Sequence, residues 1–113
     1  MQAISDKQKL ILFLLYCDPG IKDIKSMVNV YERADYPFLL GENLKVLFDL
    51  QLVWVTQYMD NDTPVLFELT DAGRAYVNEH IEKNALFEFI KTLQAPDFIL
   101  EVTQSCFDKL SSN

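Results

Sequence analysis

The chain has 113 residues, of which 50% are hydrophobic and 24% charged, a composition typical of one globular domain and unlike that of a disordered segment. Its formal net charge of −7 is unevenly placed, because residues 1–58 carry 6 basic and 7 acidic side chains whereas residues 59–113 carry 4 and 10. Phosphate contacts need cations, so the acidic second half is excluded as a nucleic-acid face, and any such face is expected in the first half.

The first predicted helix runs from about Asp6 to Cys17. Ser5 and Gln8 have the spacing of a capping box at its start, and the apolar run 10–16 covers nearly every face, which predicts a central position in the fold. The run is too short to span a bilayer and is followed by turn residues at 18–20, which indicates a cytoplasmic protein without a membrane partner. Cys17 and Cys106 form no C-x-x-C motif and are interpreted as two buried thiols.

Two further helices are predicted before the first strand. Apolar residues at helical spacing predict the second helix, which ends near Arg33; they are Ile21, Ile24, Met27, Val28 and Tyr31. Residues 34–37 form a turn, since the residue before a proline avoids the helical region. The third helix is expected from about Phe38 to Leu50, with a buried stripe made by Leu40, Leu44, Leu47 and Phe48.

A hairpin and a long helical region are predicted next. Residues 52–58 are rich in β-branched and aromatic types, residues 59–64 are polar turn formers, and residues 65–69 return as a second strand. Thr70 is expected to cap a fourth helix, with Asp71 in its first turn, and this helix continues to about Leu93. Residues 94–96 interrupt it, and a fifth helix follows from about Asp97 to Leu110.

The C-terminal region carries 12 apolar residues between positions 86 and 110, more than a small helical core needs. They must either fold back on the domain or become buried in a partner. We favour a homodimer interface over a purely intrachain cap, so residues 81–113 are interpreted as the dimerisation region of a single domain, 1–113. The predicted interface residues are Leu86, Phe89, Ile90, Leu93, Phe98, Val102, Phe107 and Leu110.

Residues 47–53, a polar turn, and then Phe67-Glu68-Leu69-Thr70-Asp71-Ala72-Gly73-Arg74 resemble the corresponding segments of winged-helix regulators of the MarR-like and PadR-like families. The resemblance covers about residues 5–80. It implies an α+β, mainly α, winged helix-turn-helix with a two-stranded wing and two additional C-terminal helices. It also implies a dimeric, DNA-binding transcriptional regulator whose third helix enters the major groove.

Carried over by position, the resemblance gives candidate DNA contacts. The base contacts would come from Asn43 and Lys45 on the outer side of the third helix. The backbone of double-stranded DNA would be held by the polar face of the second helix, through Lys22, Lys25, Asn29 and Arg33.

An alternative function comes from the acidic and apolar residues on the same outer side. Glu42 and Asp49 on the third helix, with Asp60 and Asp62 in the wing, would lie near phosphates. The chain could instead be a winged-helix module that binds a protein partner and no DNA, through Phe38, Leu39 and Val46. His80 is the one histidine and has no catalytic spacing around it, so neither an enzyme, a cofactor nor a metal site is expected.

Overall fold

The computed structural model describes residues 4–17 and 21–111, which form a mainly helical α+β structure with six helices and one antiparallel two-stranded sheet. The turn predicted at residues 18–20 lies outside the described residues. In chain order the elements are α1 (Asp6–Tyr16), α2 (Ile24–Ala34), α3 (Leu40–Asp49), β1 (Val53–Tyr58), β2 (Pro64–Leu69), α4 (Asp71–His80), α5 (Lys83–Ile90) and α6 (Asp97–Ser111).

Helix α1 forms the centre of the core. Every side chain from Leu10 to Leu15 is buried, and α1 contacts α3, α4, α5 and β2. The predicted capping box is confirmed: Gln8 donates its backbone N–H to Ser5 Oγ over 3.2 Å, and Ser5 donates its own to Gln8 Oε1 over 2.9 Å. None of the helices in the described ranges is long and apolar enough to cross a membrane.

The hairpin is held against the helices at its base. Val53 pairs with Leu69, and the register becomes irregular between Val55 and Tyr58. Thr70 caps α4 by accepting a hydrogen bond from the Gly73 N–H over 3.0 Å, while its hydroxyl donates to the Gln51 carbonyl over 2.7 Å. The cap of α4 therefore also joins the end of β2 to the end of α3.

The prediction of one continuous helix from residue 71 to about residue 93 is wrong. Ile81 adopts an extended conformation (φ −96°, ψ 116°), and Glu82 begins a new helix. The Glu82 carboxylate accepts hydrogen bonds from the N–H groups of Asn84 and Ala85 over 3.0 and 3.1 Å. These bonds satisfy donors that a helix start leaves without partners, so the break is stable although the helical apolar pattern continues across it. The resulting α5 packs against α1 and α6.

The C-terminal region covers the core of its own chain. Three of the eight residues predicted as a homodimer interface, Leu86, Ile90 and Leu93, are buried within the chain. Phe89, Phe98, Val102 and Phe107 are half-buried, and only Leu110 is exposed. The Phe107 ring stacks on Phe13 of α1 with 4.3 Å between ring centroids. The intrachain cap accounts for most of this apolar surface without a second copy.

The interpretation of the cysteines as free thiols is also wrong, because Cys17 and Cys106 form a disulfide with 5.8 Å between their Cα atoms. Their separation of 89 residues contains no local signal for pairing. The two positions meet only because α6 folds back over the end of α1. The bond therefore closes most of the chain into one loop.

Candidate functional site

One of the two predicted base-contacting residues, Asn43, forms hydrogen bonds within the chain at the start of α3. Leu39, at the N-cap, has a left-handed backbone (φ 62°) and offers no side-chain cap. The Asn43 amide donates instead to the carbonyls of Phe38 and Leu39 over 3.2 and 3.0 Å, and its Oδ1 accepts from Gln8 Nε2 over 3.0 Å. Asn43 thus stabilises the start of α3 from within, and its donor and acceptor groups are engaged there.

The second predicted base contact, Lys45, lies on the exposed side of α3, as expected. Its ammonium forms an ion pair with the Asp49 carboxylate one turn later, with Nζ and Oδ2 2.9 Å apart. Lys22, predicted on the second helix, lies instead before that helix in an extended segment beside β2. Its carbonyl accepts from the Phe67 N–H over 3.0 Å, and its ammonium lies 3.4 Å from Glu68. Both cations therefore have carboxylate partners within the chain.

The other three predicted backbone contacts lie on α2, as expected, but they differ in what surrounds them. Lys25 and Asn29 are exposed. The Arg33 guanidinium lies over the Phe98 ring of α6, 4.4 Å from its centroid, and so covers the intrachain cap. Asp23 caps the helix by accepting the Ser26 N–H over 2.9 Å, and this hydrogen bond lowers the pKa of the Asp23 carboxyl.

The alternative surface needs one correction. Phe38, predicted as part of a docking face, is fully buried and stacks on Tyr31 with 4.8 Å between ring centroids. The buried stripe of α3 consists of Leu40, Leu44 and Leu47, a spacing that turns the next residue, Phe48, outward. Phe48 is accordingly 47% exposed instead of buried as predicted, and Val28 on α2 is exposed as well.

The large exposed apolar side chains are unevenly distributed among the elements. Among the described residues, six of the nine large apolar side chains that are exposed belong to α3, the residue before it, or the hairpin. We call these six the α3–hairpin surface: Leu39, Val46, Phe48, Trp54, Tyr58 and Met59. The sequence predicted only Leu39 and Val46 here. The sequence of β1 did indicate two of the others. Trp54 and Tyr58 alternate with the apolar residues of the buried face, so both faces of the strand carry large apolar side chains.

A groove of about 420 Å³ runs between α3 and the hairpin inside this surface. Its walls include Gly41, Leu44 and Phe48 from α3, Val55 and Tyr58 from β1, and Phe67 from β2. In a regular strand, residues 55 and 58 would face opposite sides. The irregular register between them turns both toward the groove, as bulges in antiparallel strands commonly do.

A second depression of about 390 Å³ adjoins the groove, with Trp54 and Phe48 among its walls. Phe48 lines both depressions and so stands between them. A larger cavity of about 540 Å³ lies between α5 and α6, and three of its four charged side chains, those of Lys83, Glu88 and Lys91, have partners within the chain. Lys91 pairs with Glu88 at 3.3 Å, and the Lys83 ammonium lies 5.3 Å from the centroid of Phe107.

Compared with protein-family models, with curated proteins and with solved structures, the chain matches none of them.

Proposed function

We propose that this chain is a winged-helix module that binds a protein partner through its α3–hairpin surface. The concentration of six of the nine large exposed apolar side chains on that surface carries the proposal. Phe48 and Tyr58 line one depression, and Phe48 and Trp54 line the next, so at least these three form neighbouring apolar surface, which is typical of a binding face. Aromatic residues and methionine are enriched at protein interfaces, and four of the six are of these types: Phe48, Trp54, Tyr58 and Met59.

The order of elements supports the winged-helix assignment. Three helices precede an antiparallel hairpin, and a capped helix follows it directly. Residues 21–23 lie along β2, with an isolated bridge between Asp23 and Leu66, so the hairpin is anchored to the segment before α2. In this arrangement α3 takes the place of a recognition helix and the hairpin that of a wing.

The charge arrangement favours protein over duplex DNA as the partner. Helix α3 and the hairpin expose Glu42, Asp49, Asp60 and Asp62, whereas the one cation on the outer side of α3, Lys45, is paired with Asp49. A groove-reading helix uses Arg, Lys, Asn or Gln at the base edges, and Asn43 is engaged within the chain. Carboxylates beside the phosphates would oppose binding, most strongly at low ionic strength.

Site-specific photo-crosslinking in the organism that encodes the chain tests the proposal. A photoreactive phenylalanine analogue replaces Phe48 or Tyr58, and the matched control carries it at Tyr36, an exposed aromatic residue that hydrogen-bonds Gln94 through its backbone. We expect a defined protein adduct from Phe48 and Tyr58 and none from Tyr36. The purified partner should bind about 30-fold more weakly to Phe48→Ser, and with unchanged affinity to Tyr36→Ser. Equal labelling from all three positions, or adducts with nucleic acid alone, would contradict the proposal.

Duplex DNA binding is the second candidate, favoured by the exposed Lys25 and Asn29 on α2. It predicts that a random-sequence duplex is retained at low salt and released steeply as salt rises. A Lys25→Ala variant should then flatten the salt dependence, whereas Lys91→Ala, which removes a lysine from α5, should leave it unchanged. The protein-binding proposal expects no retention of the duplex even at low salt.

A further inference from the structure

The wall of the groove between α3 and the hairpin includes a glycine, Gly41, that no packing contact within the described residues requires. Gly41 lies in the first turn of α3, where a glycine costs up to about 1 kcal/mol relative to alanine. Apart from its chain neighbours and the backbone of its own helix, no heavy atom of the described residues lies within 4 Å of the position that a Cβ on Gly41 would take. The backbone of α3 is therefore uncovered at Gly41, where it lines the groove.

The groove has the length of a helix contact. Gly41, Leu44 and Phe48 recur at the i, i+3 and i+7 positions of one helix face, so the groove follows α3 over two turns, or about 10 Å. An amphipathic helix of another protein presents its apolar residues at the same spacing. Small residues at such a contact let two helix backbones approach closely, which is what Gly41 permits.

The charges around the groove indicate the charge of its occupant. Lys45 is paired with Asp49, and Lys22 with Glu68, so both pairs are locally neutral. Among the described residues, the ion pairs of the structure do not include Glu42, beside Gly41, or Asp60 and Asp62, in the turn that joins Tyr58 to Thr63. Lys45 itself lines the groove, and Asp49 balances its charge. The other charges nearest in sequence to groove residues are three carboxylates, those of Glu42, Asp60 and Asp62, and the ammonium of Lys25, in a chain of net charge −7. A basic segment would be complementary.

We infer that the groove takes an amphipathic helix of a partner protein, with apolar residues on one face and Lys or Arg beside them. This inference rests on the proposed protein-binding function and specifies the partner segment. The apolar face enters between Leu44, Phe48, Val55 and Tyr58, close to the backbone at Gly41. The basic residues lie over the carboxylates at the two ends of the groove.

Three synthetic peptides of about 18 residues test the inference, a length at which an isolated helix is no longer marginal. The first has Leu and Phe at i, i+3, i+4 and i+7 with Lys elsewhere. The second keeps the apolar positions and replaces Lys by Glu, and the third is a scrambled form of the first. Binding is followed by backbone amide NMR shifts and by the fluorescence of Trp54, the single tryptophan, which lies in the adjoining depression.

We expect the lysine peptide to shift the amides of residues that line the groove and to bind about tenfold or more tightly than the other two peptides. Gly41→Leu should weaken its binding about tenfold or more, since the new side chain enters the open space in the groove. The matched control is Ser105→Leu, which adds the same side chain on an exposed position of α6 and should leave the affinity unchanged. Unchanged circular dichroism, with a melting temperature no lower than that of the wild type in either variant, shows that a loss of binding does not come from unfolding.

Each other result overturns the inference. Equal binding of the lysine and glutamate peptides would show that the groove does not select a basic partner. Equal binding of the scrambled peptide would show that it does not select an amphipathic helix. Shifts outside the groove, or no binding at millimolar peptide, remove the site. These outcomes are separable from the proposed function. If a partner crosslinks at Phe48 and Tyr58 but the lysine peptide does not bind, the protein-binding function stands and the helix inference fails. If the lysine peptide binds but no cellular crosslink forms, the groove accepts a basic helix and the proposed protein-binding function fails.

Discussion

The carbonyl group of Leu52 lies where a side chain on Gly73 would have to be. A Cβ at residue 73 would overlap the Leu52 oxygen and would also lie 3.2 Å from Leu69 Cδ2. The Leu52 carbonyl cannot readily move aside, because it accepts the Thr70 N–H over 3.1 Å at the junction of the hairpin and α4. Close approach of α4 to the base of the hairpin therefore depends on this glycine.

We expect Gly73→Ala to lower the free energy of unfolding by about 3 kcal/mol or more, because backbone atoms must shift. The matched control is Gly41→Ala, at a helical glycine with open space around it, which should raise the free energy of unfolding by up to about 1 kcal/mol. Urea unfolding of both variants measures the two effects. A neutral Gly73→Ala variant would show that the junction is looser than described.

Tyr31 places a polar hydroxyl group in apolar surroundings. Its hydroxyl is fully buried and has no hydrogen-bond partner among the described residues, and burial strongly raises the pKa of its phenol. Tyr31→Phe removes an unsatisfied polar group, so we expect the free energy of unfolding to rise by about 1 kcal/mol. Tyr16→Phe is the control, because the Tyr16 hydroxyl donates to Asn78 Oδ1 over 2.9 Å, and its loss should cost about 0.5–1 kcal/mol. A destabilised Tyr31→Phe would mean that the hydroxyl has an unrecognised partner.

The end of α3 has a cap that normally uses glycine. Gln51 has a left-handed backbone (φ 63°), and the N–H groups of Gln51 and Leu52 donate to the carbonyls of Phe48 and Leu47, each over 3.0 Å, as in a Schellman motif. Gln51→Gly relieves the steric cost of that conformation, so we expect a gain of about 0.5–1 kcal/mol in the free energy of unfolding. Gln51→Val should lower the same quantity, since a β-branched residue is disfavoured there. Thermal melts of the pair should move in opposite directions.

The disulfide between Cys17 and Cys106 should contribute strongly to stability. Its 89-residue separation predicts, from chain entropy alone, a loss of about 4–5 kcal/mol in the free energy of unfolding on reduction. Chemical denaturation with and without a thiol reductant measures the loss, and the Cys17→Ala/Cys106→Ala variant should not respond to the reductant. Alkylation followed by mass spectrometry of freshly isolated protein reports whether the bond is present. The result also bears on the expected cytoplasmic location, since disulfides are rare in the cytoplasm. Two fully alkylated cysteines would contradict the bond.

Self-association can be separated from folding by two aspartate substitutions on α6. Leu110 is exposed, so Leu110→Asp should leave the fold intact, and it should halve the solution mass if a homodimer uses this end of the helix. Phe107 stacks on Phe13 and lies near Phe87, so Phe107→Asp should unfold the chain whatever its oligomeric state. Light scattering gives the mass and circular dichroism the fold. We expect a monomeric wild type, because the predicted interface mostly covers the chain's own core.

Local signals in the sequence determined most of the helices and strands. The Ser5 capping box, the apolar stripe of Leu40, Leu44 and Leu47, and the Thr70 cap each act within a few residues, so composition and spacing suffice to predict them. Packing between distant segments set the rest: it joined Cys17 to Cys106, and it buried Phe38 while exposing Phe48. The break at Ile81 has a local cause, the Glu82 cap, which the continuing apolar pattern concealed.

The candidate site divides in the same way. Val46 was predicted to be exposed, because the face of α3 that it occupies follows from helical periodicity. Leu39 is exposed as predicted, but it precedes α3 in a left-handed conformation that periodicity does not give. The groove itself was not predictable, since it exists only where α3 meets the hairpin and where an irregular register turns Val55 and Tyr58 to one side. The pairing of Lys22 with Glu68 likewise joins residues 46 positions apart. Spacing along a chain determines which way a side chain faces, but packing between elements determines what it meets.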